Sequence, residues 1–66
     1  MSKLLKEFHY TNDIGYHKTL AVYEKENDKY PVMLWSRDTG DFCGSGKLTD
    51  QELKGYLKHY GITDGS

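Results

Sequence analysis

Along the last third of the chain the apolar residues recur at helical spacing. Leu53, Tyr56, Leu57 and Tyr60 stand at i, i+3, i+4 and i+7, which places them on one stripe. The residues just before the stripe, Thr49-Asp50-Gln51-Glu52, have the form of a capping box. The Thr49 hydroxyl can accept from the third helical amide, and the Glu52 carboxylate can reach back to the Thr49 amide. Gly61 is a natural stop, because glycine adopts the left-handed conformation that closes a helix. Lys54, Lys58 and His59 lie off the stripe, and the last two sit where the helix dipole is negative. The pattern predicts a helix from about Asp50 to Tyr60. Gly55 lies inside it at a cost of about 1 kcal/mol relative to alanine, which reads as a place where helix and sheet approach closely.

Upstream the period changes from 3.6 to two. Thr19-Leu-Ala-Val-Tyr-Glu24 and Tyr30-Pro-Val-Met-Leu-Trp-Ser36 are rich in strand formers. Pro31 cannot donate to a ladder and so belongs at the start of its strand. Glu26-Asn27-Asp28 between the two runs is turn chemistry. Arg37-Asp-Thr-Gly-Asp41 predicts a hairpin built on a type I turn with Gly40 in the left-handed position and a bulge. Phe42 to Gly46 then returns as a further short strand. Phe8 and Tyr10 alternate within Glu7–Thr11, which predicts another strand, although Leu4, Leu5 and Phe8 also fit one helical turn. Asn12-Asp13-Ile14-Gly15 reads as a loop. The fold class that follows is α+β, a small antiparallel meander of three to four strands with one C-terminal helix packed on one face.

Register sorts the strand residues into faces. With three-residue loops in both hairpins, Leu20, Val22, Val32, Leu34 and Phe42 share one face with Gly44. Ala21, Tyr23, Met33, Trp35 and Cys43 share the other. The aliphatic face is the better match for the helix stripe, and Gly44 on it reads as room for the helix. The second face is apolar too, yet only one helix is available. Two readings follow. Either the N-terminal segment, through Leu4, Leu5 and Phe8, forms a second layer over Tyr23, Met33 and Trp35. Or that face is a contact surface, with Arg37 extending it, since large exposed apolar patches mark contact sites and Trp, Tyr and Arg dominate their energetics.

A length of 66 residues limits the chain to one domain, 1–66, with 1–3 and 63–66 expected to fray. A chain this short buries only about 60% of its unfolded surface, which leaves little room for a deep catalytic pocket. Nine basic and ten acidic side chains give a net charge of −1. That balance lacks the basic field of a nucleic-acid binder and the strong acidity of a DNA mimic. No apolar run nears the roughly 18 residues of a membrane span, and the opening residues MSKLLKEFHY do not form a signal peptide. One cysteine allows no internal disulfide, which suits a reducing cytoplasm, and Cys43 reads as a small apolar filler.

The stretch GDFCGSGKLT at residues 40–49 imitates a phosphate-binding loop without completing one. The motif G-x-x-x-x-G-K-[ST] aligned on Gly46-Lys47 needs glycine at 41 and a hydroxyl at 48. The chain has Asp41 and Leu48 there. Asp41 would set a carboxylate where phosphate must sit. His9, His17 and His59 have no metal-ligand spacing. Cys43 sits mid-strand without the signature of a Cys–His nucleophile. The carboxylate pairs Glu24/Glu26 and Asp38/Asp41 flank turns, where such residues are favoured anyway. No catalytic, cofactor or metal residue is therefore predicted, and no small-molecule substrate.

The functional expectation is a non-enzymatic protein–protein interaction module. It would use Tyr23, Met33, Trp35 and Arg37 to bind and modulate a larger protein, or to pair with itself as a homodimer. The composition fits a small cytoplasmic accessory protein of a bacterium or phage. The alternative is a single-stranded nucleic-acid binder that stacks bases on the same aromatic face.

Overall fold

The computed structural model describes residues 3–62; the expected fraying of 63–66 lies outside that range. The elements run β1 (Leu4–Thr11), β2 (His17–Tyr23), β3 (Tyr30–Ser36), β4 (Phe42–Leu48) and α1 (Asp50–His59). The strands form one antiparallel sheet in the order β1-β2-β3-β4. This is the α+β meander with a C-terminal helix that the apolar pattern predicts. The N-terminal segment is not a second layer. It is edge strand β1, paired with β2 from Leu4↔Tyr23 to Thr11↔His17, with a bulge between Leu4 and Lys6. The pairing reaches Lys3, whose carbonyl accepts from the Glu24 amide at 2.9 Å.

The core lies between the sheet and α1. Phe8, Tyr10, Leu20, Val22 and Val32 are buried, and Leu53, Tyr56, Leu57 and Tyr60 of the helix stripe pack against them with Leu34, Leu48 and Ile62. Register explains the selection: Phe8, Leu20, Leu34 and Gly44 face one another across the four strands, so their side chains share a face. The helix begins and ends as its sequence dictates. The Glu52 amide donates to Thr49 Oγ1 at 3.2 Å, and the Thr49 amide donates to Glu52 Oε1 at 2.9 Å. At the other end Gly61, at φ 67°, lets its amide reach the Lys58 carbonyl at 3.1 Å and the Ile62 amide reach Leu57 at 2.8 Å. Those two bonds are a Schellman closure, with Ile62 and Leu57 both against the core.

Three tyrosines fasten the helix to the outer strand. The Tyr10 ring lies 5.9 Å from Tyr56 and 4.6 Å from Tyr60, and the Tyr10 and Tyr56 hydroxyls are hydrogen-bonded. Burial disfavours the charged phenolate, so both hydroxyls titrate above the usual tyrosine range; the shared bond adds to the upward shift at Tyr10. A second tie joins Lys25, in the β2–β3 connection, to Asp50 at the helix start, Nζ to Oδ2 2.6 Å.

Two glycine expectations are corrected. Gly55 is exposed, and a Cβ built on it would meet nothing within 4 Å, so it does not mark a close approach. Gly44 and Gly46 likewise have open space beside them. A recess of about 270 Å³ lies over β4, lined by Leu20, Val32, Leu34, Leu48 and Tyr56.

Candidate contact face

The second face of the sheet is built from residues that alternate with the core. One cross-strand row is Glu7, Ala21, Met33 and Ser45; the next is His9, Thr19, Trp35 and Phe42. No helix or strand among the described residues lies over these rows. The face divides into halves. On β1 and β2 it is polar: His9 Nδ1 bonds Thr19 Oγ1 at 2.9 Å, and His17 Nδ1 bonds Thr11 Oγ1 at 3.1 Å, both across the strand pair. On β3 and β4 it is apolar: Met33 is 38% exposed, Phe42 is 55% exposed, and the Phe42 ring meets Trp35 edge-on at 5.5 Å. Ala21 and Thr19 are buried on this open side because their short side chains sit between taller neighbours.

Each expected contact residue has a definite place. Tyr23 and Met33 share a shallow concavity of about 470 Å³ with Pro31, Ser45, Lys47 and Glu26. Trp35 is half-buried beside Phe42. Arg37 lies one residue past β3, where its amide donates to the His17 carbonyl at 2.9 Å and so continues the ladder. Alternation sets Arg37 on the Trp35 side, at the end of the face remote from Tyr23.

Phe42 belongs to this face, contrary to the sequence reading, and Cys43 does not. The β3–β4 ladder runs Met33↔Ser45 and Leu34↔Gly44 as expected, but then shifts so that Trp35 faces Phe42. Cys43 is the extra residue of a bulge. The cause is the turn: Ser36 and Asp41 pair directly, the Gly40 amide returns to the Ser36 carbonyl at 2.8 Å, and the loop holds four residues rather than three. The bulge absorbs the difference and exchanges the faces of Phe42 and Cys43. Cys43 then lies beside Lys18 Nζ, at 3.5 Å, and the Asp41 carbonyl.

The remaining chemistry-bearing residues are dispersed. Gly44, Ser45 and Gly46 are extended within β4, so their amides do not curl around an anion. Among the described residues no three of His, Cys, Asp and Glu come together as a metal site. His59 meets Asp13 at 3.7 Å on the surface. No helix among the described residues is long and apolar enough to cross a membrane. Comparison with protein-family models, with curated proteins and with solved structures finds no match.

Proposed function

We propose that this protein is a non-enzymatic binding module whose contact surface is the uncovered face of its sheet. The observation that carries the reading is the pairing of Trp35 with a Phe42 that remains 55% exposed, next to the exposed Met33. Aromatic and methionine side chains are enriched where proteins meet. A single-sided sheet leaves them in water at a cost of about 25 cal/mol for each Å² of apolar surface, a cost that a partner would remove. The contact set is Tyr23, Met33, Trp35 and Phe42, with Arg37 at the rim. In this reading the protein acts by occupying a surface, as a small accessory module that modulates what it binds.

The nucleic-acid alternative has the Trp35–Phe42 pair as a stacking platform. A net charge of −1 weighs against it, as does Glu7 on the same face.

A photo-crosslinking amino acid at position 42 tests the reading in cells that express the protein. The expected result is a covalent adduct to protein from position 42 and none from position 54, on the exposed side of α1. An adduct to RNA or DNA, or equal labelling from both positions, would contradict it.

A further inference from the structure

We infer that the occupant of the open face is a second copy of this chain, packed sheet to sheet about a two-fold axis that runs across the strands. The inference rests on the contact-face reading and names the partner.

Three features of the face are self-complementary under that axis. The first is polarity. A two-fold across the strands lays β3 and β4 on their counterparts and β1 and β2 on theirs. The apolar half then covers the apolar half, and the polar half meets the polar half. A two-fold along the strands through the sheet centre would instead set Met33 and Trp35 over the other copy's β2 and Phe42 over its β1. The second is the register of rows. An axis midway between the Met33 row and the Trp35 row puts the Met33 thioether against Trp35 of the second copy, twice over. Sulfur against an aromatic ring is a favourable contact. The same axis puts Glu7 opposite His9 of the second copy. His9 Nδ1 is engaged by Thr19, so Nε2 is the atom that meets the carboxylate.

The third feature is charge along the strands. Arg37 follows β3, past Trp35, whereas Glu26 borders the Tyr23–Pro31 concavity at the opposite end. Neither side chain has an ion-pair partner among the described residues. The axis across the strands brings each Arg37 over the Pro31–Lys47 row of the second copy, where its long side chain extends past Lys47 to Glu26 of the same concavity. These are rim contacts, which set orientation more than affinity.

Four strands of about seven residues span a footprint of roughly 23 by 19 Å, and side chains standing on it present more surface than the flat outline. A standard interface takes about 800 Å² from each partner, about one-sixth of this chain's 4753 Å². The flat footprint is a little over half of what a standard interface takes from each partner, so the relief of the side chains has to supply the rest. Sheets packed face to face align within about 30°, so the product is an eight-stranded sandwich with both helices outside. Both apolar faces of each sheet are then covered, one by its own α1 and one by the other copy.

Sedimentation equilibrium between about 1 µM and about 1 mM tests this on the whole chain. The wild type is expected to approach twice 7.6 kDa. Met33→Glu and Phe42→Glu, both at exposed positions, should weaken the dimer at least about thirtyfold while circular dichroism stays unchanged. Arg37→Glu and Glu26→Arg should each weaken it about three- to tenfold, and the double reversal should restore it. A chain monomeric up to about 1 mM, with Trp35 open to acrylamide, would overturn the second-copy inference yet leave the face for another protein. A dimer indifferent to Met33→Glu and Phe42→Glu would overturn the inference and remove self-association as support for the contact face. Weakening by the charge reversals without rescue in the double variant would contradict the axis.

Discussion

The two sides of this sheet both carry large apolar side chains and meet opposite fates. On one side Phe8, Tyr10, Leu20, Val22 and Val32 are buried beneath α1. On the other, Met33 and Phe42 face solvent. The difference comes from the number of available partners. A meander of four strands has two faces, and the described chain provides one helix. The covered side supplies stability, because its apolar area leaves water on folding. The open side leaves its apolar area in water, where the proposed partner would cover it.

The largest expected effect comes from cutting into the covered side. Leu20, only 2% exposed, sits centrally on it. Leu20→Ala should destabilise the fold by about 2–5 kcal/mol, read from the urea midpoint. That is a large share of the stability a domain of this size commands.

Alkaline pH attacks the same side through its tyrosines. Tyr10 and Tyr56 have their hydroxyls raised by burial. For a group raised in the folded state the stability is fully present below the unfolded value, 10.0 here, and is lost as pH rises through the folded one. Stability should therefore fall above about pH 10. A spectrophotometric titration should show these two tyrosines ionising together with unfolding. In Tyr10→Phe the loss should become shallower.

At the boundary between the sides, Thr49→Ala removes the helix cap and should cost about 1 kcal/mol. The Glu52 carboxyl is held below its ordinary value of 4.5 by the Thr49 backbone bond, with the side-chain bond adding to it. A depressed folded value means stability present above the unfolded value and lost as pH falls through the folded one. Glu52→Gln should therefore flatten the acid limb of the stability profile below about pH 4.5, and Thr49→Ala, which keeps the backbone amide, should flatten it less.

The smallest effect should follow from altering the open side. Phe42→Ser and Met33→Ser should change monomer stability by no more than about 0.5 kcal/mol. Leu20→Ala and Phe42→Ser together therefore test the division most sharply. Equal destabilisation by both would show that the open side is core.

Most of the covered side was legible in the sequence. The stripe Leu53, Tyr56, Leu57 and Tyr60 has only one amphipathic reading, and the Thr49–Glu52 box fixes where it begins. The match of Leu20 to Leu34 agrees with the aliphatic face read from the pattern, although a one-residue slip would have set Met33 and Trp35 there instead. The open side was harder to read. Phe42 and Cys43 are both apolar, so alternation cannot say which faces in, and Asp38-Thr39-Gly40 suits a three- or a four-residue loop. Only the Ser36–Asp41 pairing decides it. The N-terminal strand was ambiguous for a similar reason: Leu4, Leu5 and Phe8 fit a helical turn, and the bulge at Leu5 interrupts the alternation that would have marked the strand. The recess over Gly44 and Gly46 depends on how the helix sits on the sheet, and no local pattern encodes that.

The central claim is that the face around Trp35 is uncovered in the single chain and covered on association. Trp35 is the only tryptophan, so its fluorescence reports on that face alone. Acrylamide quenching measured across a dilution series, with molecular mass followed in the same samples, tests the claim most directly. The account predicts ready quenching and red-shifted emission in the dilute monomer, giving way to protection as the mass rises. Protection that persists in the monomer at every dilution would contradict it, because the chain would then be covering its own second face.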